Sequence, residues 1–250
     1  MDEKQAYFVN RLNSFLIDHY APEMIILYGS TARGDSDEFS DIDMMVIMDV
    51  EDDAKLSAEM LAGTDHIIHD KHIFVRSVAD FIAQRDIPGT MIFSALSEGL
   101  VLYRKTDFDA DAAPLKSYEE RKKDVIKGEY LDQAREFLGR GEMALDNMQL
   151  FRCRDYLRFA AVRALKAVMV FRDIHPPRSI DLEVLFARAR ELFPEVGKLQ
   201  PLIEELNEYC PAGNDPGEIS KCRDVVDKTG FIVDSIALSM GLPRVITLYP

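Results

Sequence analysis

The sequence predicts an α+β fold for the first part of the chain, with helices flanking a small mixed sheet, and an all-α antiparallel bundle for the rest. Three observations carry this division. Apolar runs at 24–28 and 42–48 and a strand-like run at 66–75 stand between segments of helical period, and the first two are too short and too unbroken for amphipathic helices and suit buried strands. Residues 107–116 turn to Ala, Asp and Pro, a linker composition. Beyond Ser117 the apolar residues recur at helical spacing with almost no strand signal. Two domains are therefore expected, at residues 1–108 and 116–245.

Phe8, Leu12, Phe15, Leu16 and His19 mark a helix over 7–20, and Pro22 ends it because proline has no amide hydrogen to continue the ladder. A strand at 24–28 leads into Gly29-Ser30, where a short helix can start at Thr31 and stop at Gly34. A short acidic loop then leads to the second strand, 41–49, and an acidic stretch from Asp49 to Asp53 opens a helix that runs to Leu61. The run from His66 to Val75 is a third strand. Ser77-Val78-Ala79-Asp80 has the spacing of a capping box and begins another helix. Met91 to Ser97 is a short helix stopped by Gly99, and Leu100 to Tyr103 an edge strand.

In the second half, Tyr130, Ala134, Phe137 and Leu138 form one apolar stripe. A richer one comprises Tyr156, Leu157, Ala160, Ala161, Ala164, Leu165, Val168 and Met169, whose alanines permit close helix packing. Pro176-Pro177 halts it, Leu182 to Leu192 and Leu199 to Tyr209 supply more helix, and Ile219 to Met240 closes a bundle of four or five helices. Arg163 and Lys166 lie on the rich helix, either as its solvated edge or facing a ligand. The apolar residues Val245, Ile246, Leu248 and Tyr249 of the tail are suited to docking on another surface.

The stretch from Leu27 to Asp49 carries the chemistry. Asp41 and Asp43 alternate along a strand and so share a face. Their Cα atoms are expected roughly 6.6 Å apart, at about 3.3 Å per residue, which lets both carboxylates lean on one ion of Mg²⁺ type, with bonds of about 2.0–2.1 Å, or bridge two. Gly29 and Ser30 sit where a strand passes into a helix, a place where unpaired amides and the helix dipole attract phosphate. Arg33 adds a cation one turn on. Together these residues point to a nucleotide and metal site.

Composition bounds the partners. The chain has 250 residues, 47% of them apolar and 30% charged, with no run long enough for a membrane span and no secretory signal at its start. A cytoplasmic location is expected. Cys153, Cys210 and Cys222 are far apart and have no metal-binding spacing, which argues for reduced thiols rather than a disulfide framework or a zinc site. The formal charge of −14 is concentrated early, with 20 acidic and 9 basic residues in 1–108 against 24 and 21 in 109–250. Such a field repels nucleic-acid backbones but still attracts a cation carrying a nucleotide.

Gly29-Ser30, Gly34 and Ser40-Asp41-Ile42-Asp43 resemble the signature of the DNA polymerase beta-like nucleotidyltransferases, in their small "minimal nucleotidyltransferase" branch. The resemblance covers about the first 105 residues. It implies that Gly29, Ser30, Arg33 and Ser40 bind the nucleoside triphosphate, ATP above all, that Asp41 and Asp43 bind Mg²⁺, and that a third carboxylate on a neighbouring strand completes the catalytic set. Asp70 is taken for that role as the only acid in the third strand. Counting back from the capping box places the family position nearer His72, on the same face, and an imidazole there makes a poorer home for a hard cation.

Residues 118–243 more loosely resemble the HEPN helical domains found beside such transferases, best at 161–168 and at Pro176-Pro177-Arg178-Ser179-Ile180-Asp181-Leu182. No Arg followed at the proper interval by His supplies the ribonuclease signature of some HEPN proteins. The resemblance implies transfer of AMP to a protein, and a homodimer through the bundle. The same motifs and length also look like aminoglycoside nucleotidyltransferases, where a helical-domain carboxylate, here Glu129, Asp132 or Glu136, acts as base. A third reading is a nucleotide-binding regulatory protein, of the toxin-antitoxin kind, that has lost catalysis.

Overall fold

The computed structural model describes residues 3–35, 40–68 and 70–244. It divides into two compact units, Met1–Arg121 and Lys122–Pro250. The first unit has the α+β architecture. Its elements are α1 (Glu3–Tyr20), β1 (Met24–Tyr28), α2 (Gly29–Arg33), β2 (Ile42–Met48), α3 (Asp53–Gly63), β3 (Lys71–Ser77), α4 (Val78–Gln84), α5 (Met91–Glu98) and β4 (Leu100–Arg104).

The four strands lie in the order β3-β2-β1-β4. β1 runs antiparallel to both β2 and β4, whereas β2 and β3 are parallel. A parallel pair needs a crossover connection, which α3 provides. Alternation along the strands builds two cores. Ile25, Leu27, Met44, Val46, Ile73 and Val75 pack with Val9, Leu12 and Leu16 of α1 and Met60 of α3. Met24, Ile26, Met45 and Ile47 pack on the opposite face with Phe81 of α4 and with Ile92 and Ala95 of α5. Because both faces are covered there, β1 and the Met44–Met48 part of β2 read as unbroken apolar runs, whereas β3 alternates in burial. α5 reaches β1 so closely that a side chain at Gly99 would strike the carbonyl oxygens of Ala95 and Leu27.

Two expectations change. The third strand starts at Lys71, not His66: the Thr64 hydroxyl donates to the Met60 carbonyl at 2.7 Å, and the Ile67 amide closes a turn on the Thr64 carbonyl at 2.9 Å. The buried Lys71 ammonium then pins this connection, donating to Asp65 and to the Ile68 carbonyl, both at 2.7 Å. The supposed linker at 107–116 is partly core, since Phe108 and Ala110 are buried among Met24, Ile26 and Phe81.

The first unit continues to Arg121, which a sequence pattern does not reveal. Arg121 is buried, forks onto both oxygens of Asp86 and donates to the Ala83 carbonyl at 2.7 Å. That hydrogen bond holds the Asp86 carboxyl below its ordinary value. Arg121→Met should cost roughly 1–3 kcal/mol, the range for charge-assisted bonds with a half-exposed partner. A carboxyl lowered by folding contributes stability that is present above its unfolded pKa and lost as pH falls through its folded one. Urea unfolding at pH 7 should therefore separate the two proteins, and the gap should narrow on acidification below about 4.

The second unit is helical. α6 (Tyr118–Val125) spans the division, and a wide turn at Ile126–Leu131 leads into α7 (Asp132–Asp146), α8 (Leu150–Phe171), α9 (Leu182–Leu192), α10 (Gln200–Glu208) and α11 (Pro216–Ser239). α8 is the hub, in contact with α7, α9, α10 and α11. Ala160, Ala161, Ala164 and Ala167 are fully buried on it, and at Gly141 of α7 an added Cβ would stand 3.1 Å from the Leu157 side chain. The last helix starts at Pro216 rather than Ile219 because the Asp215 carboxylate caps the amides of Gly217 and Glu218. Among the described residues no helix is long and apolar enough to cross a membrane. The tail residues Val245, Ile246, Leu248 and Tyr249 lie outside the described residues.

Candidate functional site

β1 ends at Tyr28 and the chain turns at once into α2, with Gly29 at φ +77°. This is left-handed backbone, which a residue with a Cβ enters only at a cost. Gly29 is needed for space as well, because an added Cβ would collide with Oδ2 of Asp43. The turn and the acid are therefore in direct apposition. α2 stops at Gly34, also left-handed at φ +80°, whose amide donates to the Ser30 carbonyl at 3.0 Å. Ser30 is half-exposed at the turn. The buried Thr31, which sequence reasoning passed over, donates its hydroxyl to the Asp41 carbonyl at 3.1 Å and ties the turn to the start of β2.

Ser40 and Asp41 precede β2, and Asp43 is its second residue. Ser36 to Phe39, in the acidic loop, lie outside the described residues. The antiparallel register sets Asp43 opposite Tyr28, and the parallel register sets it opposite His72. The His72 ring nitrogen Nδ1 lies 3.1 Å from Oδ1 of Asp43 and 3.6 Å from Oδ2 of Asp41. An ionised carboxylate can only accept, so Nδ1 carries the hydrogen and donates to Asp43.

The structure thus brings Gly29, Ser30, Asp41 and Asp43 together, and the third position beside the acids belongs to His72. Asp70 falls one residue before β3, exposed, with its carbonyl accepting from the Ile42 amide at 3.2 Å. Register explains the difference. Lys71, Ile73 and Val75 turn into the core under α1 and α3, which leaves His72 on the face of Asp43. Arg33 is held by Asp35 at 3.2 Å and Glu98 at 3.3 Å rather than standing open to a ligand.

Burial pushes the half-buried Asp43 carboxyl above the usual carboxylate range, against the lowering effect of the His72 hydrogen bond, and the neighbouring Asp41 charge adds to the rise. Tyr28 is likewise raised, by burial first and by Asp43 second. Among the described residues no three His, Cys, Asp or Glu side chains already converge on a point that could hold a metal ion. The two partly exposed carboxylates suit a hard oxygen-seeking cation; the imidazole does not.

A strand, a left-handed glycine turn and two alternating acids at the start of the next antiparallel strand make a recognisable set. Residues 10–108 match the family described as Polymerase beta, Nucleotidyltransferase. The match to this nucleotidyltransferase family contains every residue of the site and ends before the helical unit. A search of curated proteins returns no match.

Among solved structures, the chain is similar to a nucleotidyltransferase-like protein from Exiguobacterium sibiricum 255-15, at 12% identity and a TM-score of 0.45 over 96% of this chain and 77% of that one. It is also similar to the spectinomycin adenyltransferase AAD(9) from Enterococcus faecialis, solved with ATP and spectinomycin, at 10% identity and a TM-score of 0.41 over 90% of this chain and 98% of that one.

Proposed function

We propose that the chain binds a nucleoside triphosphate, ATP above all, at the Gly29–Arg33 turn and transfers its nucleoside monophosphate to a hydroxyl of a protein or small-molecule acceptor. The observation that carries this reading is the close approach of Gly29 to Asp43: a turn suited to phosphate lies directly against one of the two acids. The first amides of α2 make no intrahelical bond, so they and the Ser30 hydroxyl receive the departing pyrophosphate. Arg33, held between Asp35 and Glu98, contributes positive field rather than a direct grip.

A divalent cation such as Mg²⁺, held by Asp41 and Asp43, would supply the charge that polarises the phosphoryl group. Asp43 has one oxygen against the turn and the other toward His72, which suits it to join the nucleotide side of the site to the acceptor side. With an imidazole where a third carboxylate would draw the acceptor proton, slow turnover is expected. In this reading ATP comes from the cytoplasm. The helical unit, in the HEPN-like role, pairs two copies of the chain.

The test is incubation with α-labelled ATP and Mg²⁺ in three arms, offering cell-extract protein, peptides or aminoglycosides. Label on protein or peptide is the expected result. Label on the drug would assign the aminoglycoside chemistry, and tight binding with no transfer a regulatory nucleotide binder. No binding at all would reject the proposal.

A further inference from the structure

We propose that His72 keeps free divalent cation off the Asp41–Asp43 pair, so that the cation enters only together with the nucleoside triphosphate. The inference rests on the nucleotide-site reading and adds an order of loading to it. Its basis is the exchange of a hydrogen-bond donor for a cation: the Nδ1–H of His72 is directed at Oδ1 of Asp43, 3.1 Å away, with Oδ2 of Asp41 at 3.6 Å. The imidazole thus faces one oxygen of each carboxylate that a cation would need.

Displacing it has an energetic cost that free cation is poorly placed to meet. Mg²⁺ dehydrates reluctantly and is held by one or two carboxylates plus substrate phosphates. Alone, it gains two carboxylates, one of which must first give up a charge-assisted hydrogen bond. With a triphosphate seated on the turn beside Asp43, it gains phosphate oxygens as well, and the exchange becomes favourable. The His72 side chain is 52% exposed, so it can leave toward solvent with little repacking. The same residue therefore competes with free cation for the carboxylates and makes cation and nucleotide bind cooperatively.

Thermal shift and titration calorimetry on the full chain test this with MgCl₂ alone, α,β-methylene ATP alone, and both together. The wild type should answer weakly to MgCl₂ alone and strongly to the combination. His72→Ala should bind MgCl₂ alone on the order of tenfold more tightly, the equivalent of one charge-assisted hydrogen bond. His72→Asp should bind it more tightly still, and adding Asp41→Asn to His72→Ala should cancel the gain.

Equal Mg²⁺ affinity in wild type, His72→Ala and His72→Asp would overturn the proposal. So would weaker binding in His72→Ala, which would make the imidazole a ligand, or a gain that survives Asp41→Asn. Failure of nucleotide and Mg²⁺ to bind together in any of these proteins would instead count against the nucleotide site, while the Mg²⁺-only comparison still decides the role of His72.

Discussion

Gly29→Ala should lower the melting temperature by roughly 5–15 °C and abolish the shift produced by nucleotide with Mg²⁺. Two independent costs combine. The residue sits at φ +77°, where a side chain loses about 1–2 kcal/mol, and the new methyl would drive into the Asp43 carboxylate, with overpacking of that kind costing about 1–3 kcal/mol. For a chain of this size each kcal/mol moves the midpoint by about 2–4 °C. Gly34→Ala is the control. Its φ is +80°, but an added Cβ has nothing within 4 Å, so only the conformational cost remains. If the two variants melt together, the close approach of turn and acid is not what Gly29 serves.

Asp43→Asn should move stability and activity in opposite directions. Burial raises this carboxyl, so at neutral pH the folded chain holds a charge that the unfolded chain would hold more comfortably. The sign follows from proton binding. A carboxyl raised by folding opposes stability above its folded pKa, and that penalty fades as pH falls through the folded value toward the unfolded one. The amide removes it, so the variant should melt higher than wild type at pH 7 in chelator, with the difference shrinking on acidification. Label transfer should fall roughly 10²–10³-fold, the usual consequence of removing one electrostatic contact from a transition state. A lower melting point for the variant in chelator would show that the His72 hydrogen bond outweighs the burial of the charge.

Much of the site lies within a single local stretch, and for that reason the sequence exposes it. The strand at 24–28, the glycine turn and the alternation of Asp41 with Asp43 depend only on neighbouring residues and on the two-residue period of a strand. Gly29 could be marked from its place after a strand. What it touches could not, because Asp43 reaches it through antiparallel pairing of β1 with β2.

The third position required more. His66 to Val75 is one apolar-leaning run, and nothing local distinguishes a strand beginning at 66 from one beginning at 71. Thr64 and Lys71 decide it by bonding to Met60, Asp65 and Ile68. The same long-range bonding explains why Phe108 and Ala110, in a composition typical of linkers, belong to the core, and why the first unit extends to Arg121. Arg33 had the right type and place for a phosphate contact; Glu98, distant in sequence, engages it.

Residue order alone was enough to settle an α+β region followed by helices and the four-stranded character of the first part, and to mark the glycine turn and the Asp41-x-Asp43 alternation as the residues to examine. These are properties of short periods and turn chemistry, complete within a few residues. Tertiary structure chose His72 over Asp70, the two residues the sequence had left open, beside those acids and turned Arg33 toward Glu98. Both outcomes come from strand register and from side chains that meet across the fold, and register is decided by which alternate residues the core buries.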